Sequence, residues 1–216
     1  MLSDAQVGQY HRDGYVVHPG LVSEDQRATL LAEISRASAG STLADHDQTR
    51  IEMEPNQAPS GTLLRRLYEP CTHYTPFRDL SDSDRLLGCV EQLLGPDLEF
   101  HYSKINMKPP AIGSVVEWHQ DLTYYPLTNS DSMAILIYLD DADRGNGCLQ
   151  VIPGRHRAGP MSHTRDGYFQ GRISERIDES MAVALEAPAG SAIFMHSLTP
   201  HASVANTSTR PRKTLI

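Results

Sequence analysis

The sequence predicts a mainly β domain, a double-sheeted jelly roll with N-terminal helices packed outside it. Three observations lead there. From Leu98 onward the chain is a series of short apolar runs separated by turn residues, the pattern of a sandwich or barrel. Before Leu98 the texture is helical, with capping residues ahead of apolar stripes. No repeat or low-complexity tract interrupts the 216 residues, a length most simply read as one domain, 1–216, with its own core.

The elements follow in order. Ser3 caps a helix to about Arg12, with Gln6 three residues on as in a capping box, and Asp13-Gly14 ends it. Tyr15-Val16-Val17 reads as a strand and Pro19-Gly20 as a turn. Ser23 caps a second helix through about Ala37, with Glu24 and Asp25 in the first turn and Leu30, Leu31 and Ile34 as its buried stripe. Residues 38–62 are polar and contain Pro55, Pro59 and Gly61. They read as a long loop with one edge strand at 49–54. A helix over 82–94 closes at Gly95-Pro96. Strands are expected at 98–107, 115–121, 133–139, 148–152, 182–185, 191–196, 201–205 and 212–216, with a turn-rich loop at 140–147. The last strand, placed at a sheet edge, would leave ladder partners unmatched, so a missing C-terminal tail is expected.

Composition narrows the function classes. Nineteen basic and 27 acidic residues give a net charge of −8, which argues against a nucleic-acid or anionic-membrane surface while leaving a buried cationic pocket open. Cys71, Cys89 and Cys148 have no paired spacing and read as reduced, buried thiols of a cytoplasmic protein. No apolar run approaches 18 residues, and the N-terminus lacks a signal-peptide pattern.

The chemistry concentrates in Glu117-Trp118-His119-Gln120-Asp121. Side chains alternate along a strand, so His119 and Asp121 share a face. His201 can complete a two-histidine, one-carboxylate set, which leaves coordination positions open and suits non-haem Fe(II) that activates O2. Arg212 can hold the carboxylate of an organic co-substrate as a bidentate pair. The motif alone is weak: His11-Arg12-Asp13 repeats it at a helix end, where positions i and i+2 diverge. His196 competes with His201, but only His201 has Ser203 two residues on, facing the same way. Arg210 is the rival anchor to Arg212, and a solvated edge strand is the ordinary fate of both.

Several stretches together resemble the phytanoyl-CoA dioxygenase family. They are Asp13-Gly14-Tyr15-Val16-Val17 after a helix, Lys108-Pro109-Pro110, and Trp118 through Tyr124-Tyr125-Pro126. Further on come Asn146-Gly147-Cys148-Leu149 through Pro153-Gly154-Arg155-His156, and His201 through Ser208 followed by Arg212. The resemblance spans most of the chain. It implies a double-stranded β-helix, Fe(II) held by His119, Asp121 and His201, and 2-oxoglutarate as co-substrate on Arg212. Ser203 would lie beside that carboxylate and Gln120 nearby. Lys104, on a strand with pocket-facing positions, joins the expected co-substrate binders. The Asn-Gly-Cys-Leu turn and Pro153-Gly154-Arg155-His156 are implied structural marks. Arg155 stands where the family often has serine, and Ile137 where some members have a tryptophan near the co-substrate. The carboxylate at Asp121 separates the chain from related halogenases, which have a small residue there.

The expected activity is hydroxylation, or a related oxidation, of a small organic substrate, with release of succinate and CO2. Substrate contacts are expected from Tyr102, Tyr124, Tyr125, Arg155 and the 38–62 loop. Lys108, Arg65 and Arg66, as single charges, read as solvated surface groups. Two rival readings remain: a cupin-like metal-binding jelly roll without oxygenase activity, and a non-catalytic interaction protein on the same fold. Substrate identity and oligomeric state are not legible.

Overall fold

The structure, a computed structural model, describes residues 1–125 and 127–216; Pro126, part of the aromatic motif above, lies outside the described residues. In chain order the elements are α1 (Asp4–Asp13), β1 (Tyr15–His18), α2 (Glu24–Ala37), β2 (Ile51–Met53) and β3 (Leu64–Tyr68). Three helices follow: α3 (Pro70–His73), α4 (Thr75–Ser81) and α5 (Asp84–Leu94). Then come β4 (Lys104–Lys108), β5 (Val116–His119), β6 (Met133–Tyr138), β7 (Gln150–Val151), β8 (Thr164–Arg165) and β9 (Tyr168–Phe169). The last are β10 (Val183–Ala184), β11 (Ala192–His196), β12 (His201–Ser203) and β13 (Arg212–Leu215).

Local sequence accounts for the helices. The hydroxyls of Ser3 and Ser23 accept from the backbone N–H of Gln6 and Gln26, and those glutamines return a hydrogen bond, giving two complete capping boxes. Gly14, left-handed at φ 81°, stops α1. The helix expected over 82–94 is α5, with α4 ahead of it. Ser83 caps α5 by accepting from Leu86 N–H and so sets its start.

The strands form an antiparallel seven-stranded sheet, β1-β11-β6-β13-β4-β3-β2, facing a four-stranded sheet, β10-β7-β12-β5, with β8-β9 as a separate hairpin. Alternation divides the larger sheet. On β11, Ala192 and Phe194 join the helix-covered core with Leu30, Ile34, Phe77 and Leu93. Ile193 and Met195 instead meet Leu149, Val151 and Leu185 between the sheets. Ile105 and Met107 on β4 and Leu215 on β13 belong to the helix side. The opposite faces of β4 and β13, carrying Lys104, Asn106, Lys108, Arg212 and Thr214, look toward the small sheet.

Several expectations need correction. β13 is not at an edge: it lies between β6 and β4, and Ile216 exchanges backbone hydrogen bonds with Lys104 at 2.9 and 2.7 Å. The strand expected from 98 begins only at Lys104, where β3 and β13 supply partners. Strand β3 and helices α3 and α4 were not anticipated. Ile137 packs in the helix-side core, away from any pocket between the sheets. The edge strand near 49–54 is β2, at the end of the large sheet.

Candidate metal centre and co-substrate site

Two strands of the small sheet and the turn after one of them bring the three candidate donors together. His201 on β12 lies directly opposite His119 on β5, and their rings stand 4.0 Å apart between centroids. Asp121 is not on the strand as expected. It opens a 3-10 turn, Asp121–Tyr124, that starts where β5 ends. The turn carries its carboxylate between the imidazoles, with Oδ1 3.6 Å from Nε2 of each histidine. One donor atom from each residue fits within 4.8 Å of the others.

Hydrogen bonding sets the tautomers. His119 Nδ1 lies 2.8 Å from Glu117 O, and His201 Nδ1 lies 3.0 Å from Thr199 O. A carbonyl can only accept, so both Nδ1 atoms carry a proton and both Nε2 atoms face Asp121. Burial, then the neighbouring His119, lowers His201 to a pKa of about 4, so it is neutral at pH 7. Burial would raise the Asp121 carboxyl, but His201, His119 and Lys104 outweigh it and hold the acid well below the usual carboxylate range. Two imidazoles and one carboxylate within reach of a single point fit a divalent cation, and the two-histidine, one-carboxylate face is the Fe(II) pattern.

A second group of buried charge lies along the inner face of the large sheet. Arg212 is 4% exposed, has no carboxylate partner among the described residues, and leaves Nε without a hydrogen bond. Its Nη1 donates to Thr214 Oγ1 at 2.6 Å. Directly across the ladder, Lys108 is 3% exposed, contrary to its reading as a surface charge. The Lys108 ammonium donates to Ser114 O at 2.5 Å and Val204 O at 2.6 Å, tying β4 to the end of β12 beside Ser203. Burial and the adjacent Arg212 push Lys108 down to a pKa of about 7. An unpaired buried guanidinium is costly unless an anion meets it, so the site fits a carboxylate-bearing co-substrate. Arg210, the rival anchor, is exposed and paired with Asp143. His196, the rival ligand, packs on His156 and Tyr10.

Other expected residues divide. Tyr124 stands edge-on to His119, with ring centroids 5.8 Å apart, and is edged in turn by Phe169 at 5.2 Å. Tyr125 packs edge-on to His101, and burial raises its pKa to about 12. Tyr102 is exposed at 37%. Gln120 is a correction. It is fully buried and alternates away from His119. Its Nε2 donates to Leu198 O at 2.6 Å and Gly159 O at 3.2 Å, and its Oε1 accepts from Met161 N–H at 2.6 Å. No donor of that amide is left for a co-substrate. Arg155 sits in the 3-10 turn Arg155–Ala158, docked on α1 through Gly154 N–H to Asp13 O at 2.8 Å, and no hydrogen bond or ion pair among the described residues joins it to the triad.

Two positioning residues went unnoticed in the sequence. His163 accepts from Gln120 N–H at 3.0 Å and so fixes the backbone between His119 and Asp121. Phe169 walls Tyr124. Both belong to the loop-rich 153–181 stretch, which has little periodicity to read.

Residues 10–214 match the family model described as phytanoyl-CoA dioxygenase. The chain belongs to the phytanoyl-CoA dioxygenase family. A probable alpha-ketoglutarate-dependent hypophosphite dioxygenase of Stutzerimonas stutzeri is 30% identical, over 98% of this chain and 76% of that protein. An ectoine dioxygenase of Bordetella parapertussis is 29% identical, over 98% and 73%. Among solved structures, EctD from S. alaskensis with 2-oxoglutarate and 5-hydroxyectoine superposes with a TM-score of 0.79 at 24% identity, over 99% of this chain and 74% of that one. This phytanoyl-CoA dioxygenase family member therefore has the expected double-sheeted fold and the expected class of activity, an iron- and 2-oxoglutarate-dependent oxygenation. No helix among the described residues is long and apolar enough to cross a membrane.

Proposed function

We propose that this protein oxidises a small organic molecule as a single catalytic unit spanning residues 1–216, with His119, Asp121 and His201 as the iron ligands and Arg212 as the anchor for the distal carboxylate of 2-oxoglutarate. The observation that carries the reading is the juxtaposition of three convergent metal donors with one buried, carboxylate-free guanidinium on the facing sheet. Iron(II) held by these residues, with 2-oxoglutarate and O2, would supply the oxidising chemistry for a substrate C–H bond, with succinate and CO2 as co-products.

The chain's own contribution is binding, orientation and exclusion of water. Glu117 O and Thr199 O hold the two ligand imidazoles in the Nε2-free tautomer. The carboxylate of Asp121 stays ionised in a buried setting because Lys104 and the imidazoles surround it. Arg212 presents a planar fork whose geometry matches a carboxylate, and the Ser203 hydroxyl is the second donor proposed for that end. No side chain is needed as a general acid or base. The names of the relatives favour a compact polar substrate over a long acyl chain. Three free buried cysteines support a reducing, cytoplasmic setting.

The test is succinate release that depends on 2-oxoglutarate, Fe(II) and ascorbate. Asp121→Ala and His201→Ala should abolish it, and undiminished turnover in Asp121→Ala would end the assignment of the ligands. A thermal shift with Mn(II), with and without 2-oxoglutarate, separates this reading from a metal-binding jelly roll without activity, which would respond to metal alone.

A further inference from the structure

We propose that Lys104 and Arg66 form the binding site for an anionic head group on the substrate, so that the substrate is a compact oxyanion: a phosphonate, a phosphinate or a carboxylate. The inference rests on the dioxygenase reading above and deepens it.

Register places the two side chains. Arg66 on β3 lies opposite Asn106 on β4, Lys104 lies opposite Tyr68, and Asn106 lies opposite Thr214. Arg66 Nε reaches Asn106 Oδ1 at 3.3 Å, so Arg66 and the even-numbered residues of β4 share the inner face. Lys104 is four residues from Lys108, about 13 Å along the strand. The face therefore has two cationic ends. Arg212 and Lys108 form one. Lys104 and Arg66 form the other, and Lys104 is close enough to Asp121 for each to perturb the other.

The second end has donors without acceptors. Lys104 Nζ has no hydrogen bond or ion pair among the described residues. Asn106 Nδ2 has none either, since only its Oδ1 is engaged. Besides Asp121, two acids stand at this end, Glu52 and Glu69, and Glu69 is paired with Arg50. Glu52 is the one that meets Arg66. It accepts from Arg66 Nη1 at 2.8 Å and Tyr68 Oη at 2.5 Å, and pairs with Arg65 at 3.0 Å. One carboxylate against two guanidiniums leaves a positive charge there before Lys104 is considered.

A wider account agrees. Leaving aside Lys108, whose pKa of about 7 makes it only partly charged, and the Arg50–Glu69 pair, which cancels, the inner face and its rim hold four cations (Arg65, Arg66, Lys104, Arg212) and three carboxylates (Glu52, Glu54, Asp121). The charges of Fe(II) and 2-oxoglutarate cancel, so loading the enzyme leaves the surplus in place. On a chain of net charge −8, that is a local reversal of sign. Concave sites of one sign, walled by low-dielectric protein, concentrate the opposite ion. Oxyanions with several acceptor oxygens match a lysine, an arginine and an amide N–H converging from two strands. The exposed Tyr102 lies near Tyr68, Glu69 and Arg66.

The rival use of this pair is on the 2-oxoglutarate itself, and one experiment separates them. The Mn(II)-loaded protein is titrated with 2-oxoglutarate. The saturated complex is then titrated with methylphosphonate, phosphite and acetate, each against its neutral methyl ester or amide, with affinity read by calorimetry and by thermal midpoint. The expected result is that an oxyanion binds and its neutral counterpart does not. Phosphorus and carbon acids then show which oxyanion class fits. Lys104→Met and Arg66→Met should each weaken the oxyanion about tenfold or more, as expected for loss of a charge-assisted hydrogen bond, while Lys104→Arg restores it. Lys104→Gln serves if the methionine variant fails to fold by circular dichroism. Oxyanions that do not bind the saturated complex would overturn the inference and leave the dioxygenase reading standing, as would variants that weaken 2-oxoglutarate and not the oxyanion. A wild-type protein that ignores 2-oxoglutarate would sink both.

Discussion

Arg212 should be a residue that the metal-free fold does better without. Its guanidinium is 4% exposed, its Nε has no partner, and Lys108 sits across the ladder as a second buried cation. Burial and that neighbour drive the lysine down to about 7. Replacing Arg212 with methionine keeps the aliphatic volume and removes the charge. The change forfeits one hydrogen bond to Thr214, worth about 1 kcal/mol. It relieves a buried, unpaired charge, and such replacements by well-packed apolar residues are neutral or stabilising by about 1–4 kcal/mol. The net expectation is about 1–2 kcal/mol of added stability, or roughly 2–8 °C in midpoint for a domain of this size. Binding should move the other way. Losing one partner of a desolvated charge pair costs about 2–5 kcal/mol, so affinity for 2-oxoglutarate should fall at least about thirtyfold. Thermal melts of wild type and Arg212→Met, with Mn(II) and increasing 2-oxoglutarate, test both halves. A variant that melts lower without ligand and still responds fully to 2-oxoglutarate would refute the reasoning.

Other perturbations probe separate parts of the site. Gly147→Ala builds a Cβ 2.4 Å from Val204 O at a left-handed φ of 76°, and should cost roughly 2–3 kcal/mol, read as a lower urea midpoint with unchanged slope. For pH, the His201 value of about 4 lies below the unfolded value of about 6.5, so the unfolded chain binds more protons between them. Stability of the metal-free protein should therefore fall as pH drops from about 6.5 toward about 4, with a shallower fall in His201→Asn; an unchanged slope in that variant would assign the effect elsewhere. His163→Phe keeps the ring volume but leaves Gln120 N–H without its acceptor. Mn(II) affinity should drop about tenfold or more, the scale expected when a ligand loses its outer support; unaltered affinity would show that Gln120 needs no such brace.

The triad was legible because its logic is local on one side and topological on the other. His119 and Asp121 are two residues apart, so they stay close whether Asp121 ends a strand or opens a turn, and His201 begins a strand that pairs with β5 in this topology. The turn at Asp121 was missed because a single 3-10 turn has no periodicity. Helices α1 and α2 were readable from serine caps and glutamine three residues on, since capping depends on neighbours in sequence. Lys108 was misread for a related reason. A lone lysine ahead of Pro109-Pro110 looks solvated, yet Lys104, Asn106 and Lys108 alternate with the apolar Ile105 and Met107. That alternation says one face is polar, but not whether the polar face meets water or a second sheet. Only the pairing of β4 with β13 and the closure of the small sheet over them decide it.

That ambiguity is informative about the fold itself. Half of the inner face of the large sheet, on β1, β11 and β6, is apolar and packs tightly on Leu149, Val151 and Leu185. The other half, on β13, β4 and β3, carries arginine, lysine, asparagine and threonine at the corresponding positions. A fold selected only for stability would have continued the apolar packing, because buried cations without counter-ions oppose folding. The seam between the halves runs along β13, where Leu215 still serves the helix-side core while its neighbour Thr214 and Arg212 beyond it turn to the polar side. The apolar half, together with the capped helices, supplies the stability that the polar half gives up. Under the function proposed above, anionic ligands would offset that cost, and their binding should stabilise the fold by more than their contact area alone would predict.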